Sequence, residues 1–183
     1  MIRTLLLYSS TDGHTRKIAT RIAEGLEHHG AKPSLVAVEH VDDIDLSRFD
    51  AAIVGAPVRY GKHDRRIVRF LELNAATLER MPNAFFSVNL IARTPAKRSA
   101  ESNSHVRKFL DRLAFKPAWV EVFPGRLDYP SYGWLDRFAI RMIMKMTGGP
   151  AQGSEIIDFT DWTQVDDFAA RMARDFSAAI NRT

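Results

Sequence analysis

The amino-acid sequence predicts an α/β fold in which a doubly wound, five-stranded parallel sheet carries helices on both of its faces. Short apolar runs alternate with amphipathic helical segments, and the first apolar run is continuous, as in strands buried on both faces. The length of 183 residues is typical of one domain, and no repeat, low-complexity tract or linker divides the chain. We therefore expect a single domain over residues 1–183, with one insertion at about 126–154.

The predicted elements follow one another in strand–helix order. The five strands are predicted at residues 4–8, 34–38, 51–55, 84–88 and 119–123. Helices are predicted, from apolar residues recurring every three to four positions, at 15–29, 64–73, 104–113 and 163–180. One stretch breaks the alternation, because an apolar helical segment lies between the fifth strand and a further strand-like piece at 155–159. We interpret it as a helix inserted in the fifth-strand region.

The composition excludes several classes of protein. The chain contains no cysteine, which excludes a disulfide scaffold, a cysteine nucleophile and a thiolate zinc site. Its six histidines show no ligand spacing, so we expect no metal site. No uncharged apolar run approaches the ~20 residues that cross a bilayer, and the first residues lack a signal-peptide pattern. We therefore expect a cytoplasmic protein.

The net charge of +4 is unevenly distributed. Residues 59–145 carry 17 basic and 8 acidic side chains, whereas the rest of the chain is acidic on balance. Such asymmetry is typical of uneven surface decoration, or of a region that faces phospholipid, nucleic acid or an acidic substrate. Because the basic clusters lack interleaved aromatic residues, we expect no nucleic-acid partner.

A hydroxyl-rich segment follows the first strand and opens the first helix. Its residues, here called loop 1, are Ser9, Ser10, Thr11, Asp12, Gly13, His14 and Thr15. Hydroxyl donors, a glycine and a helix N-terminus together favour phosphate binding. The alternative is an ordinary turn that caps the helix. Because no basic residue precedes Arg16, we expect backbone dipoles rather than ion pairs to hold the phosphate.

Loop 1 resembles the phosphate loop of flavodoxins, which binds the phosphate of FMN. Ser10, Thr11, Gly13 and Thr15 match that pattern, whereas Asp12 and His14 stand where many flavodoxins carry threonine and asparagine. Longer segments resemble the menaquinone-dependent protoporphyrinogen IX dehydrogenases, flavodoxin-like FMN enzymes of haem biosynthesis. These segments are GAPVRYG at 55–61, FFSVNLIAR at 85–93, WLDRFAIRMIMKMTGG at 134–149 and TDW at 160–162. The resemblance extends from about residue 3 to residue 176.

The resemblance implies one FMN, held by three loops at the carboxyl ends of strands. Loop 1 would bind the phosphate. Loop 2, the segment 56–61, would lie along the isoalloxazine through Ala56, Pro57, Arg59, Tyr60 and Gly61, with Tyr60 stacked on it. Loop 3, the segment 87–93, would supply backbone contacts to the edge of the ring, and its predicted contacts are Ser87, Val88, Asn89 and Leu90. Loop 3 has no aromatic residue, which would leave one flavin face open to a substrate.

The resemblance also implies the reaction. Protoporphyrinogen IX would lose six electrons and six hydrogens in three cycles, and menaquinone or another quinone would accept the electrons. Arg59 and Arg93 follow the flavin loops and are predicted to bind the propionates of the substrate. His63 or Asp64 is a candidate general base, although such a pair at a helix start is more often a cap.

The inserted helix is predicted to contact a membrane. Its basic residues Arg137, Arg141 and Lys145 recur every fourth position and share one face, while Trp134 and Phe138 belong to its apolar remainder. At ~20 Å it is too short to span a bilayer, so we expect it to lie in an anionic membrane surface and to meet the quinone there. The enzyme would then be peripheral on the cytoplasmic face of the inner membrane. The alternative is packing on the domain or in the interface of a homo-oligomer.

Two other functions remain open on the sequence alone. A flavodoxin-type electron carrier or quinone-reducing flavoprotein would use the same three loops, although such carriers tend to be acidic and this chain is basic. A membrane- or nucleic-acid-binding module would retain the fold without the flavin. A flavin absorption spectrum separates this last function from the other two.

Overall fold

The structure is a computed structural model and describes residues 1–128 and 156–182. Its strands are β1 (Arg3–Tyr8), β2 (Lys32–Ala37), β3 (Ala51–Pro57), β4 (Asn83–Asn89), β5 (Trp119–Pro124), β6 (Arg126–Asp128) and β7 (Ile156–Asp158). Its α-helices are α1 (His14–His28), α2 (Arg65–Leu73), α3 (Ala75–Leu78), α4 (Ser104–Leu110) and α5 (Trp162–Ile180). Short 3₁₀ turns cover Val38–Asp43, Leu46–Arg48, Leu90–Arg93 and Pro95–Lys97.

The first five strands form one parallel sheet in the order β2-β1-β3-β4-β5, so the predicted fold is confirmed. Successive residues of β1 face opposite sides of this sheet. Leu6 belongs to the core beneath α1 and α5, whereas Leu5 and Leu7 belong to the core beneath α2 and α4. Both faces are therefore covered, which explains why the strand sequences show continuous rather than alternating apolar residues.

One helix is shorter than its apolar pattern predicts. The stripe of α4 suggested a helix to residue 113, but the helix ends at Leu110 and the chain continues in tight turns. Leu113 and Phe115 nevertheless remain buried in the core on the α2 and α4 side. A residue can thus complete the apolar stripe of a helix from a turn that follows it.

The order of the strands creates a crevice above the sheet. The chain passes from β1 to β2 on one side and then crosses to β3 on the other side of β1. The loops after β1 and β3 therefore diverge, and the gap between them is where open α/β sheets bind ligands.

A two-stranded antiparallel ribbon, β6 with β7, extends beyond β5 and pairs Arg126 with Asp158. The predicted insertion joins these two strands, and its helix, with Trp134, Arg137, Phe138, Arg141 and Lys145, lies outside the described residues. Among residues 1–128 and 156–182, no helix combines the length and apolarity that crossing a membrane requires.

Candidate functional site

A cleft of about 310 Å³ opens at the carboxyl ends of the central strands, within the volume range of small-molecule sites. It brings together residues from all three loops predicted to hold a flavin. The lining residues are Thr11, Asp12, His14, Thr15, Pro57, Val58, Arg59, Tyr60, Gly61, Val88, Asn89, Leu90, Ile91, His105, Gly125 and Arg126.

Loop 1 presents backbone donors that the protein itself does not use. Within the described part of the chain, the N–H groups of residues 10–13 and of Thr15 have no acceptor. Gly13 adopts a φ of +79°, a left-handed conformation that lets the chain turn sharply into α1. Unpaired N–H groups beside a helix N-terminus form an anion-binding site, so the prediction from the loop's composition has a geometric basis.

The polar side chains of loop 1 differ in their contacts with the rest of the protein. Ser9 is buried beneath the loop, its N–H donates to the Gly55 carbonyl at 3.0 Å, and its hydroxyl has no partner among the described residues. The Ser10 hydroxyl accepts the N–H of Arg16 at 3.4 Å. Asp12, the departure that would repel a phosphate, turns one carboxylate oxygen to the N–H of His14, 3.1 Å away.

His14 is buried, with only 3% of its surface exposed, at the first position of α1. Its Nε2 lies 2.7 Å from the Thr160 hydroxyl, which itself donates to the Pro124 carbonyl, so Nε2 carries the proton and donates. Its Nδ1 is then a buried acceptor with no partner among the described residues. Burial lowers the pKa of His14, so this imidazole is neutral at physiological pH.

Loop 2 contains a strained turn. The backbones of Arg59 and Lys62 exchange two hydrogen bonds of 2.8 and 3.0 Å around a two-residue hairpin. Both residues of this turn have positive φ, 49° at Tyr60 and 75° at Gly61. Asparagine and glycine are the usual residues in such turns, so a tyrosine there is strained. The turn leaves Tyr60 74% exposed at the edge of the cleft, with the Arg59 guanidinium 5.8 Å from its ring centre.

Loop 3 offers unpaired backbone donors near its middle. The N–H groups of Leu90 and Ile91 border the cleft and have no acceptor among the described residues. Ser87 is fully buried in β4 between β3 and β5 and is not among the residues that line the cleft, so its role as a cofactor contact stays a prediction. The same holds for Ala56, which is fully buried in β3.

Three other predicted residues are not among those that line the cleft. His63 is buried, its Nε2 lies 2.9 Å from the Ser87 hydroxyl, and burial lowers its pKa to about 4. Asp64 caps α2 by accepting the N–H of Arg66 at 2.8 Å, as its alternative interpretation held. Neither borders the cleft as a general base. Arg93 does not line the cleft either, because its guanidinium donates to the Leu90 carbonyl at 3.3 Å.

Sequence reasoning missed three lining residues, His105, Gly125 and Arg126, and it did not single out Val58 and Ile91 within the predicted loops. Gly125 and Arg126 follow β5, so the rule applied to the ends of the other strands would have found them. His105 lies on α4 beneath the turn of loop 2, where its ring hydrogen-bonds the backbone of Gly61. No local pattern marks His105, because its position depends on how α4 packs beside β3.

The residues of the cleft fit FMN. The unpaired N–H groups of loop 1 suit a phosphate, Tyr60 offers an exposed aromatic face, and Leu90 and Ile91 offer donors for the polar edge of a ring. The buried and unpartnered Ser9 hydroxyl lies directly under loop 1. Within the described residues, no cluster of acidic and histidine side chains could hold a metal ion.

Comparisons with known proteins agree with this geometry. A family model described as a flavodoxin domain matches residues 5–154. The "Protoporphyrinogen IX dehydrogenase [quinone]" of Escherichia coli K12 is 40% identical over 172 residues, which cover 94% of this chain and 95% of that protein. The protein of the same name from Leishmania major is 38% identical, over 93% of this chain and 74% of its own length.

A solved flavodoxin variant from Pseudomonas aeruginosa superposes with a TM-score of 0.59 and 10% identity, covering 96% of this chain and 99% of its own, and supports the fold alone. The near full-length identity to two dehydrogenases is the more specific finding. The chain therefore belongs to the quinone-dependent protoporphyrinogen IX dehydrogenases, a family of oxidoreductases with a flavodoxin domain.

Proposed function

We propose that this protein binds one FMN and oxidises protoporphyrinogen IX to protoporphyrin IX in haem biosynthesis, with menaquinone as the physiological electron acceptor. The substrate loses six electrons and six protons, and three quinone molecules each take up two of both to become quinols. The observation that carries the proposal is the cleft itself, where the unpaired donors of loop 1 and the exposed, strained Tyr60 border one cavity.

The chain's own residues would bind and orient the reactants. Loop 1 holds the phosphate, Tyr60 packs on the ring, and the N–H groups of Leu90 and Ile91 donate to its polar edge. The flavin supplies two-electron redox chemistry when bound. Loop 3 carries no aromatic side chain, so the side of the cleft opposite Tyr60 stays open to a substrate.

The substrate's propionates would bind to basic groups at the rim. Arg59 borders the cleft beside Tyr60, so it is the stronger candidate of the two arginines singled out in the sequence. Arg93 supports the loop by binding the Leu90 carbonyl and would reach a propionate only by giving up that contact. A guanidinium binds a carboxylate in a bidentate, orientation-specific way, which would align the porphyrinogen with the flavin.

The quinone would be met at a membrane. The basic and apolar residues of the inserted segment, together with the excess of positive charge over residues 59–145, support a peripheral location on the cytoplasmic face of the inner membrane. If the inserted segment binds the membrane surface, it would hold the domain and its cleft close to the lipid. A long-tailed quinone resides in that lipid.

The test is an anaerobic assay of the FMN-loaded protein with protoporphyrinogen IX, followed by porphyrin fluorescence. Fluorescence should rise through many turnovers with a menaquinone analogue. Without it, fluorescence should stop at no more than about one third of an equivalent of porphyrin per flavin, because one FMN accepts only two of the six electrons. The FMN-free protein serves as the control and should produce no porphyrin. Flavin reduction by other donors, without porphyrin formation in any arm, would reject the proposal in favour of a carrier or quinone reductase.

A further inference from the structure

We propose that Arg126 is a ligand of the FMN phosphate and makes the site selective for the phosphorylated flavin, an inference that rests on the proposed function. Arg126 follows Gly125 at the start of β6, and its Nη2 lies 3.5 Å from the carbonyl oxygen of Asp12 in loop 1. It borders the same cavity as Thr11, Asp12 and Thr15. The residue is 114 positions from Asp12 along the chain, which is why no motif includes it.

Loop 1 needs a positive charge that it does not itself contain. A phosphate monoester carries a charge of about −1.5 to −2 at pH 7, and the Asp12 carboxylate adds another negative charge. The expectation that backbone dipoles alone hold the phosphate therefore leaves an excess of negative charge. A guanidinium over the Asp12 carbonyl offsets both negative groups, since it binds phosphate oxygens with strong, charge-assisted hydrogen bonds.

The next basic residues of the sequence do not fill this role. Arg16 and Lys17 are exposed on α1 and line a separate, more open depression with Thr20, Arg21 and Glu24. Of the described basic side chains, only Arg59 and Arg126 line the cleft, and Arg59 belongs to loop 2 beside Tyr60. The positive charge of Arg126 also acts on His14 at the start of α1, whose pKa it helps to lower.

The fold anchors the backbone at Gly125, the residue before Arg126, and pairs Arg126 itself in the ribbon. The N–H of Gly125 donates to the Asn89 carbonyl at 3.1 Å, and Phe159 donates to the Gly125 carbonyl at 3.3 Å. In the β6–β7 ribbon Arg126 pairs with Asp158, whose carboxylate lies 3.6 Å from His14 Nε2. Asp158, the partner of Arg126 in the ribbon, is therefore the carboxylate that would compete with the phosphate for the guanidinium. Because the backbone is anchored, the side chain can reach the phosphate at a low cost in ordering.

The measurement compares two flavins that differ in the phosphate. Binding of FMN and of riboflavin to the FMN-depleted protein is followed by flavin fluorescence for the wild type, Arg126→Ala, Arg126→Lys and the control Arg16→Ala. Arg126→Ala should raise the Kd for FMN about tenfold and change the Kd for riboflavin less than twofold, since one charge-assisted contact is lost. Arg126→Lys should fall between, and Arg16→Ala should bind both flavins like the wild type.

Each outcome has a separate meaning. An equal loss for FMN and riboflavin would assign Arg126 a structural role, and an unchanged Kd for FMN would exclude it from the phosphate site. A larger loss of FMN binding in Arg16→Ala would place the charge on the other side of loop 1. A wild-type protein that binds neither flavin would overturn the proposed function itself, which separates that failure from failure of this inference.

Discussion

His63 Nε2 lies 2.9 Å from the hydroxyl of Ser87, and this buried pair joins the segment before α2 to the centre of β4. The contact continues outward, since Asn89 Nδ2 donates to the same hydroxyl at 3.2 Å and Asn89 Oδ1 accepts from Asn103 Nδ2 at 3.0 Å. Because the Ser87 hydroxyl accepts from Asn89, its own proton is available to a neutral His63. The network fixes the end of β4, from which loop 3 presents its donors to the cleft.

The stability of the protein should depend on the protonation of His63. Burial lowers its pKa from 6.5 to about 4, so between these values the unfolded state binds more protons than the folded state. The free energy of unfolding should therefore fall as the pH drops below 6.5, by about 1.4 kcal/mol per unit, and the loss should level off below pH 4. Urea unfolding of the wild type and of His63→Gln at pH 7.5 and pH 5 measures this, and the variant should lose about 2 kcal/mol less.

Replacement of the exposed His28 by glutamine is the control for this experiment, since His28 lies at the far end of α1. His14 titrates in both proteins, so its contribution cancels. Equal pH dependence in the wild type and His63→Gln would show that His63 does not control acid stability.

Gly13→Val should weaken FMN binding without unfolding the protein. A Cβ at residue 13 would meet no atom within 4 Å, so the damage comes from the backbone, whose φ of +79° a β-branched residue adopts at a cost of about 1–2 kcal/mol. The loop would shift to relieve this strain and misalign its donors. We expect at least a tenfold rise in the Kd for FMN, measured by fluorescence quenching.

Gly30→Val is the matched control, because Gly30 has a φ of +82° and equally open surroundings but lies at the other end of α1. Both variants should lower the melting temperature by similar amounts, and only Gly13→Val should affect the flavin. Full flavin retention in Gly13→Val would place the phosphate elsewhere.

Tyr60→Asn should stabilise the fold and weaken flavin binding. Asparagine adopts the left-handed conformation of this turn more readily than tyrosine, so the free energy of unfolding should rise by up to about 1 kcal/mol. The loss of ring stacking should raise the Kd for FMN on the order of tenfold. Tyr60→Phe keeps both the ring and the strain and should behave like the wild type in chemical denaturation and flavin titration. A destabilised Tyr60→Asn would mean that packing of the ring outweighs the backbone strain.

Arg59→Ala should raise the KM for protoporphyrinogen about thirtyfold while the Kd for FMN changes much less, since a charged contact is worth on the order of 2 kcal/mol. Arg93→Ala should have a smaller effect, because its guanidinium is bound to the Leu90 carbonyl. Arg69→Ala, on the exposed side of α2, is the control. Steady-state kinetics that are identical in all three variants would assign both predicted arginines to the solvated surface.

Charge reversal in the inserted segment should release the protein from anionic membranes. The triple variant Arg137→Glu, Arg141→Glu and Lys145→Glu should lose on the order of a hundredfold in partition onto phosphatidylglycerol vesicles, since each basic residue contributes about 1 kcal/mol at such a surface. Turnover with a long-tailed quinone should fall, and turnover with a soluble analogue should not.

The control triple variant replaces the exposed Arg80, Arg107 and Arg112 by glutamate, which makes the same change in net charge outside the inserted segment. This variant should bind vesicles like the wild type. If both triple variants release the protein equally in cosedimentation, the net charge and not the inserted segment determines the binding.

The strands, the main helices and the composition of loop 1 could all be predicted from local sequence. These features depend on local patterns: continuous apolar residues mark strands covered on both faces, and hydroxyls with a glycine before a helix mark an anion site. The Tyr60-Gly61 pair was also identified, but its strain was not, because backbone dihedrals follow from the closure of the hairpin between Arg59 and Lys62.

Which side chains line the cleft depends on long-range packing and could not be predicted from local sequence. His63, a candidate base in the sequence, packs against Phe85 and Phe109 below the sheet edge, whereas Arg126, which no motif includes, arrives beside Asp12. Contacts between such distant residues depend on the register of β4 with β5 in the main sheet and of β6 with β7 in the ribbon, which long-range packing sets. Local composition therefore predicts a candidate phosphate loop, and long-range packing determines which charged side chain lies beside it.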